Sequence, residues 1–228
     1  MPKRMGRALL AALHREGTPP PGPKAPVLGN PQRRRVFQFL CLHPSATIAE
    51  VAKALGLSPA TVRFHAQRLV QAEYLVPTGS SFVPAGLVGP DDVPIFRALA
   101  SASSRRALAA AYAGAGLAVG ELAGAAGMSR QGIADLLDTF ERLHLVSRVA
   151  DGRHVRVYPT RTLEEKQERH RARAAQFCDD LLQRLEAGGQ APEVLRRTPT
   201  ELQVRLGRGS SKTTLQLSIE PFSSLLLE

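Results

Sequence analysis

TIAEVAKALGLSPATVRFHAQRL, residues 47–69, reads as two short helices joined by a sharp corner. Ile48 to Leu55 is the first helix, with Thr47 as its N-cap. Gly56 follows where the chain must turn in a conformation costly for residues with a side chain. Ser58 can cap the second helix and Pro59 suits its first turn. Val62, Ala66 and Leu69 form the inward stripe, and Ala52 is small where the helices cross.

The pattern recurs without a gap at a shift of 71 residues, in AVGELAGAAGMSRQGIADLLDTF over 118–140. Ala52 falls on Ala123, Gly56 on Gly127, Ser58 on Ser129, Val62 on Ile133 and Leu69 on Phe140. Upstream, Arg34 and Arg35 fall on Arg105 and Arg106. Two copies of one supersecondary unit is the economical reading. A β-ribbon is expected behind each. Leu145 to Val149 and His154 to Tyr158 alternate around Asp151-Gly152, a dipeptide that favours a tight hairpin. Tyr74 to Val76 and Ser81 to Val83 flank Pro77 to Ser80 and predict a shorter, poorer ribbon.

Helix, helix-turn-helix and hairpin is the winged-helix order. On these residues, 31–159 resembles two tandem winged helix-turn-helix domains of the ArsR/MarR-like regulator type, a little over half the chain. The string from Ser58 to Leu69 is similar to a recognition helix of that group. The resemblance implies double-stranded DNA as partner and a packing role for His65, where that group often has histidine. ArsR-type sensors often carry cysteine clusters on the helix before the turn; Ile48 to Leu55 contains none.

The expected fold is mainly α with small β-wings, in four parts. Residues 1–30 are a basic segment, helical over 1–15 through Leu9, Leu10 and Leu13, and a Pro-rich linker over 17–31. Residues 31–88 and 91–160 are the two winged units, parted by a break over 84–94. Residues 161–228 hold a long helix, Leu163 to Glu186, and a hairpin of Glu201 to Leu206 with Thr213 to Ile219. Leu163, His170, Ala174, Phe177, Leu181 and Leu185 make a heptad-like stripe on that helix. It predicts either a homodimer through 163–186 or packing back on the second unit.

Charge singles out the leading part. The chain of 228 residues carries a net +10, and eight of the ten excess positive charges lie in the first 90 residues. A polyanionic partner is the simplest implication. On the outward face of the helix beginning at Pro59, Thr61, Arg63, Phe64, Gln67 and Arg68 suit base edges and phosphates, next to Ser58. Arg33, Arg34, Arg35 and Lys53 suit phosphate contacts that set docking. The plain alternative is a solvated basic helix face. In the second copy Asp135, Asp138 and Glu141 would repel a phosphate-lined groove, whereas its ribbon carries Arg148, Arg153, His154 and Arg156. Arg153 and Arg156 are therefore the wing candidates for a minor groove, and the second unit is expected to support or dimerise.

Other classes find little footing. There is no GxSxG, P-loop or GxGxxG pattern, so no catalytic residues and no enzyme are expected, and no cofactor. Cys41 with His43, and Cys178 with His170, lack the spacing and third partner of a metal site. The longest apolar run near the N-terminus, Ala8 to Leu13, is too short for a membrane span or a signal core, which predicts a cytoplasmic, nucleoid-associated protein. The sequence names no effector. A DNA-binding transcriptional regulator is the leading reading; an interaction scaffold of chromosome or replication machinery and a non-specific DNA-coating protein are the alternatives.

Overall fold

The computed structural model describes residues 26–207 and 212–225, so the helix expected over 1–15 and most of the proposed linker lie outside the described residues. Helices predominate, with three small antiparallel sheets.

The first unit begins with a 3-10 turn, Val27–Gly29, followed by α1 (Pro31–Leu42), α2 (Ile48–Leu55) and α3 (Pro59–Gln71). Each start is chemically specified. Asn30 accepts a hydrogen bond from Arg33 N at 3.0 Å, and Pro31 occupies the first turn of α1, where its missing N–H costs nothing. Thr47 and Glu50 form a reciprocal capping box on α2. Gly56 adopts φ +64°, ψ +36°, and Leu57 N returns to Ala52 O at 3.0 Å, closing the corner as expected. Ser58 Oγ then accepts from Thr61 N at 3.1 Å to open α3. Strands β1 (Leu75–Thr78) and β2 (Ser81–Pro84) pair antiparallel around Gly79-Ser80. This ribbon is tighter and longer than the sequence suggested, because Gly79 takes φ +66° and closes the loop in two residues.

The expected break over 84–94 is not a loose linker. Leu87, Val88 and Val93 are buried, and a 3-10 turn, Pro90–Asp92, leads straight into α4 (Val93–Ala98). Next come α5 (Ala102–Ala113), β3 (Leu117–Ala118), α6 (Val119–Ala126), α7 (Arg130–Arg142), β4 (Val146–Asp151) and β5 (His154–Pro159). Strands β4 and β5 form the longer hairpin, and β3 adds to β5. In the first unit the counterpart of β3 is a single bridge between Thr47 and Ser81.

The shift of 71 residues survives in the hydrogen bonds. Arg34 Nη1 donates to Leu28 O and Gly29 O, and Arg105 Nη1 to Leu99 O and Ala100 O. Arg35 Nη2 donates to Leu55 O, and Arg106 Nη2 to Ala126 O. These guanidinium groups satisfy carbonyls that helix ends and turns leave without partners. Gly127 matches Gly56 at φ +62°, and the non-glycine residues Glu73 and His144 both turn left-handed, at φ +61° and +56°, where α3 and α7 end. The sequence repeat is thus also a repeat of backbone geometry.

Helix α8 (Thr162–Ala187) is longer than expected by a residue at each end. Its stripe is fully inside the chain: Leu163, His170, Ala174, Phe177, Leu181 and Leu185 are all buried. This corrects the expectation that the stripe faces a second copy of the chain. It packs on the first unit and the C-terminal sheet, and its N-terminal turns reach the second unit at Asp92 and Tyr112. Arg184 reaches Glu73 O at 2.7 Å and stacks over Tyr74; Lys166 pairs with Asp92; His170 Nε2 lies 2.7 Å from Ile219 O. The stripe is therefore occupied internally and is not the face of a homodimer.

The C-terminal hairpin is a three-stranded sheet, β6 (Glu193–Arg197), β7 (Glu201–Leu206) and β8 (Thr213–Ser218), in that order. Strand β6 escaped the sequence reading because all five of its side chains are exposed, which erases alternation. Strand β8 packs on α1, where Gln38 Nε2 donates to Gln216 O at 2.9 Å. A single apolar core joins both units, α8 and the sheet. Among the described residues no helix is long and apolar enough to cross a membrane.

Candidate nucleic-acid interface

Periodicity of 3.6 divides α3 cleanly. Val62, His65, Ala66 and Leu69 are buried against α1 and α2, while Arg63, Phe64, Gln67 and Arg68 are exposed. Burial of the inward stripe leaves those four on the solvent face, with Thr61 half-buried at its leading edge. Phe64 is 51% exposed, unusual for a large apolar ring, and the Arg68 guanidinium lies over it, 5.6 Å from its centroid. Arg68 also donates to Gln71 Oε1 at 3.2 Å. Among the described residues Arg63 has neither a hydrogen bond nor an ion pair, and no carboxylate quenches α3.

The capping hydroxyls are engaged with one another, Ser58 Oγ to Thr61 Oγ1 at 2.8 Å, at the end of α3 where backbone N–H groups point outward. His65 is 6% exposed and sets its ring edge against Phe64 at 5.4 Å, the packing position expected of it. Burial and the nearby Arg33 lower its pKa, so it stays neutral near pH 7.

The arginine run at the start of α1 is used differently from the expectation. Arg33 Nη1 donates to Val27 O at 2.9 Å and Arg34 is bound to Leu28 O and Gly29 O, so both are tied to the turn ahead of their helix. Arg35, exposed, bonds Leu55 O at the end of α2. Their first duty is structural. Arg33 nevertheless belongs to the electrostatics of α3, since partial burial and the Arg68 charge both lower its pKa. Two guanidinium groups that oppose each other's charge form a place an anion would relieve. Lys53 does not join that cluster; it stands at the rim of a cavity facing α4 and α5.

One cation went unread in the sequence. Arg97, on α4, donates to Thr78 O at the tip of the first hairpin and lies beside Gly79. The ribbon itself carries no basic residue, so this wing tip borrows its charge from 19 positions downstream. No local pattern signals such a contact.

In the second unit the opposing charges find each other. Arg148 on β4 binds Glu141 Oε2 through Nε at 2.9 Å and Asp138 Oδ1 through Nη2 at 2.7 Å. The guanidinium holds the Glu141 carboxyl below the usual carboxylate range. Arg156 is likewise paired with Asp151 and donates to Gly116 O at 3.0 Å, which corrects its assignment as an open wing contact. Arg153 remains exposed at the hairpin turn.

Residues 30–76 match the family model for winged helix-turn-helix DNA-binding domains. This segment spans α1 to the start of β1 and includes the whole of α3. The leading part of the chain is thus a winged helix-turn-helix DNA-binding domain. No curated protein matches the chain. Among solved structures, the DIP2311 protein from Corynebacterium diphtheriae is 19% identical with a TM-score of 0.24, covering 56% of this chain and 26% of its own. IdeR of T. acidophilum is 11% identical with a TM-score of 0.21, covering 84% of this chain and 94% of its own. The chain spans about a quarter of the first of these.

Proposed function

We propose that this protein is a sequence-specific, DNA-binding transcriptional regulator of the ArsR/MarR-like type, without enzymatic activity. The observation that carries this reading is the outward face of α3: Arg63, Gln67 and Arg68 exposed, uncontested by carboxylates, on a helix inside the matched segment. Arg63 and Arg68 have the donors to pair with guanine and Gln67 those to pair with adenine in a major groove. Ser58 and Thr61 at the helix start, with Arg33, hold phosphates and set the docking. Arg97 at the wing tip supplies a further backbone contact.

The segment from α5 to β5 is, on this reading, a second winged helix-turn-helix that has given up groove reading and supports the first. Its matched arginine bonds and left-handed glycine favour common ancestry of the two units, and its self-neutralised charges favour the support role.

Selection of duplexes from a random library, followed by polarisation titration of the winners, tests the proposal. We expect selective binding that weakens steeply as salt rises, because each phosphate contact releases counterions. Equal affinity for every duplex would support a DNA-coating protein instead. The interaction-scaffold reading rests on the second hairpin, where Val149, Val155 and Tyr158 are exposed beside the neutralised charges. Indifference to DNA at low salt, with capture of a partner chain lost on Val149→Asp, would favour it.

A further inference from the structure

The turn that joins the two units faces the first half of α8 across a cavity of about 70 Å³. That is the space of about two water molecules, the scale of one small oxyanion, and far below the several hundred Å³ of sites for organic ligands. Lys166, Arg169, His170 and Arg173 line it from α8, at spacings of three and four that bring them to one face of the helix. Gly89, Asp91 and Asp92 line it from the turn.

The charges are unequal. Asp92, itself buried, is shared by Lys166 at 2.5 Å and Arg173 at 4.0 Å. Arg169 donates to Glu165 O through Nε at 3.2 Å and, among the described residues, makes no ion pair. Three cations therefore stand against two carboxylates. The guanidinium of Arg173 lies on the buried Gly89, where a Cβ would collide with it, so the close approach depends on glycine.

His170 supplies an independent sign of a missing ligand. The ring is 2% exposed, and its Nε2 lies 2.7 Å from Ile219 O. A carbonyl only accepts, so Nε2 carries the proton, and a neutral ring bonded this way presents a lone pair at Nδ1. Nδ1 is buried and has no hydrogen-bond partner. A donor entering the cavity would satisfy it.

We propose that this cavity binds hydrogen phosphate, a tetrahedral oxyanion that still bears a proton. Lys166, Arg169 and Arg173 hold its anionic oxygens, and its P–OH group donates to His170 Nδ1. Asp91 and Asp92 set the selectivity, because an oxyanion without a proton brings only lone pairs to carboxylates and an acceptor nitrogen. Sulfate is refused on that ground, and so is the phosphodiester of a nucleic-acid backbone. The inference does not rest on the DNA reading of α3.

Calorimetric titration of the full chain at pH 7 with inorganic phosphate, sulfate and dimethyl phosphate tests it. Phosphate is expected to bind at one per chain, about tenfold or more tighter than either of the others. Phosphate, and not sulfate, is expected to shift the nitrogen-15 resonance of His170 Nδ1. Arg169→Gln, at an exposed position, is expected to weaken phosphate binding about fivefold or more. Gly89→Ala, which displaces only the end of a flexible side chain, is expected to weaken it with unchanged circular dichroism. Asp91→Asn, also exposed, is expected to narrow the gap between phosphate and sulfate. Equal affinity for phosphate and sulfate, tighter binding of dimethyl phosphate, undiminished phosphate binding in both Arg169→Gln and Gly89→Ala, or no saturable phosphate binding would overturn the proposal.

Discussion

Where α3 carries Arg63, Phe64, Gln67 and Arg68, α7 carries Ala134, Asp135, Asp138 and Thr139 at the corresponding positions. Beneath these faces the two units share caps, left-handed corners and arginine-to-carbonyl bonds at a constant offset. The scaffold and the surface chemistry have therefore been set separately. Inward positions are apolar in both units apart from His65, and volume is traded between them, as with Ala66 against Leu137 and Leu40 against Ala111. Outward positions differ freely: α3 presents cations with no carboxylate against them, whereas Asp138 and Glu141 on α7 are taken up by Arg148.

The equivalence of the two cores is open to the hardest blow. Leu69→Ala and Phe140→Ala, at matching buried positions, are each expected to cost about 2–5 kcal/mol in urea unfolding. A near-neutral result for either would break the parallel. The inequality of the two surfaces is the next point of attack. Arg63→Ala and Arg68→Ala are each expected to weaken binding to a selected duplex by about 1–3 kcal/mol, whereas Arg130→Ala on α7 is expected to leave it within about 0.5 kcal/mol. Equal losses from α3 and α7 would make both units readers.

The shared carbonyl bonds sharpen the comparison on a smaller scale. Arg35→Ala and Arg106→Ala are each expected to cost about 0.5–1.5 kcal/mol of stability, and by similar amounts. The smallest effect concerns pH. Arg148 holds Glu141 below its ordinary pKa, so the stabilisation is present above the unfolded carboxylate range and is lost as pH falls through the folded value. Both groups are partly exposed, so the increment is expected below about 1 kcal/mol. Glu141→Gln should flatten the acid limb of the stability curve, and an unchanged limb would show that the Arg148 pair carries none of it.

The sequence made legible whatever depends on local backbone chemistry. Gly56 and Gly127 marked their corners, Thr47 and Ser58 their caps, and the α8 stripe its buried side, because each is a rule about neighbours three or four residues away. What joins distant positions was not readable. Arg33 and Arg34 looked like open phosphate contacts until the carbonyls of 27–29 came within reach. The partner of the α8 stripe, the Arg97 contact at Thr78 and the pairing of Arg148 with an acidic helix are products of folding at range. For the site, the four exposed residues of α3 were legible and their surroundings were not.

The seat of β8 on α1 orders events during synthesis. A ribosome that has completed α3 has not yet made the strand that shields the helix behind it. Until residues 213–218 emerge, that side of α1 stays uncovered. The leading unit is therefore finished last by the portion of chain translated well after it, and a nascent polypeptide truncated before that strand would present it half-built.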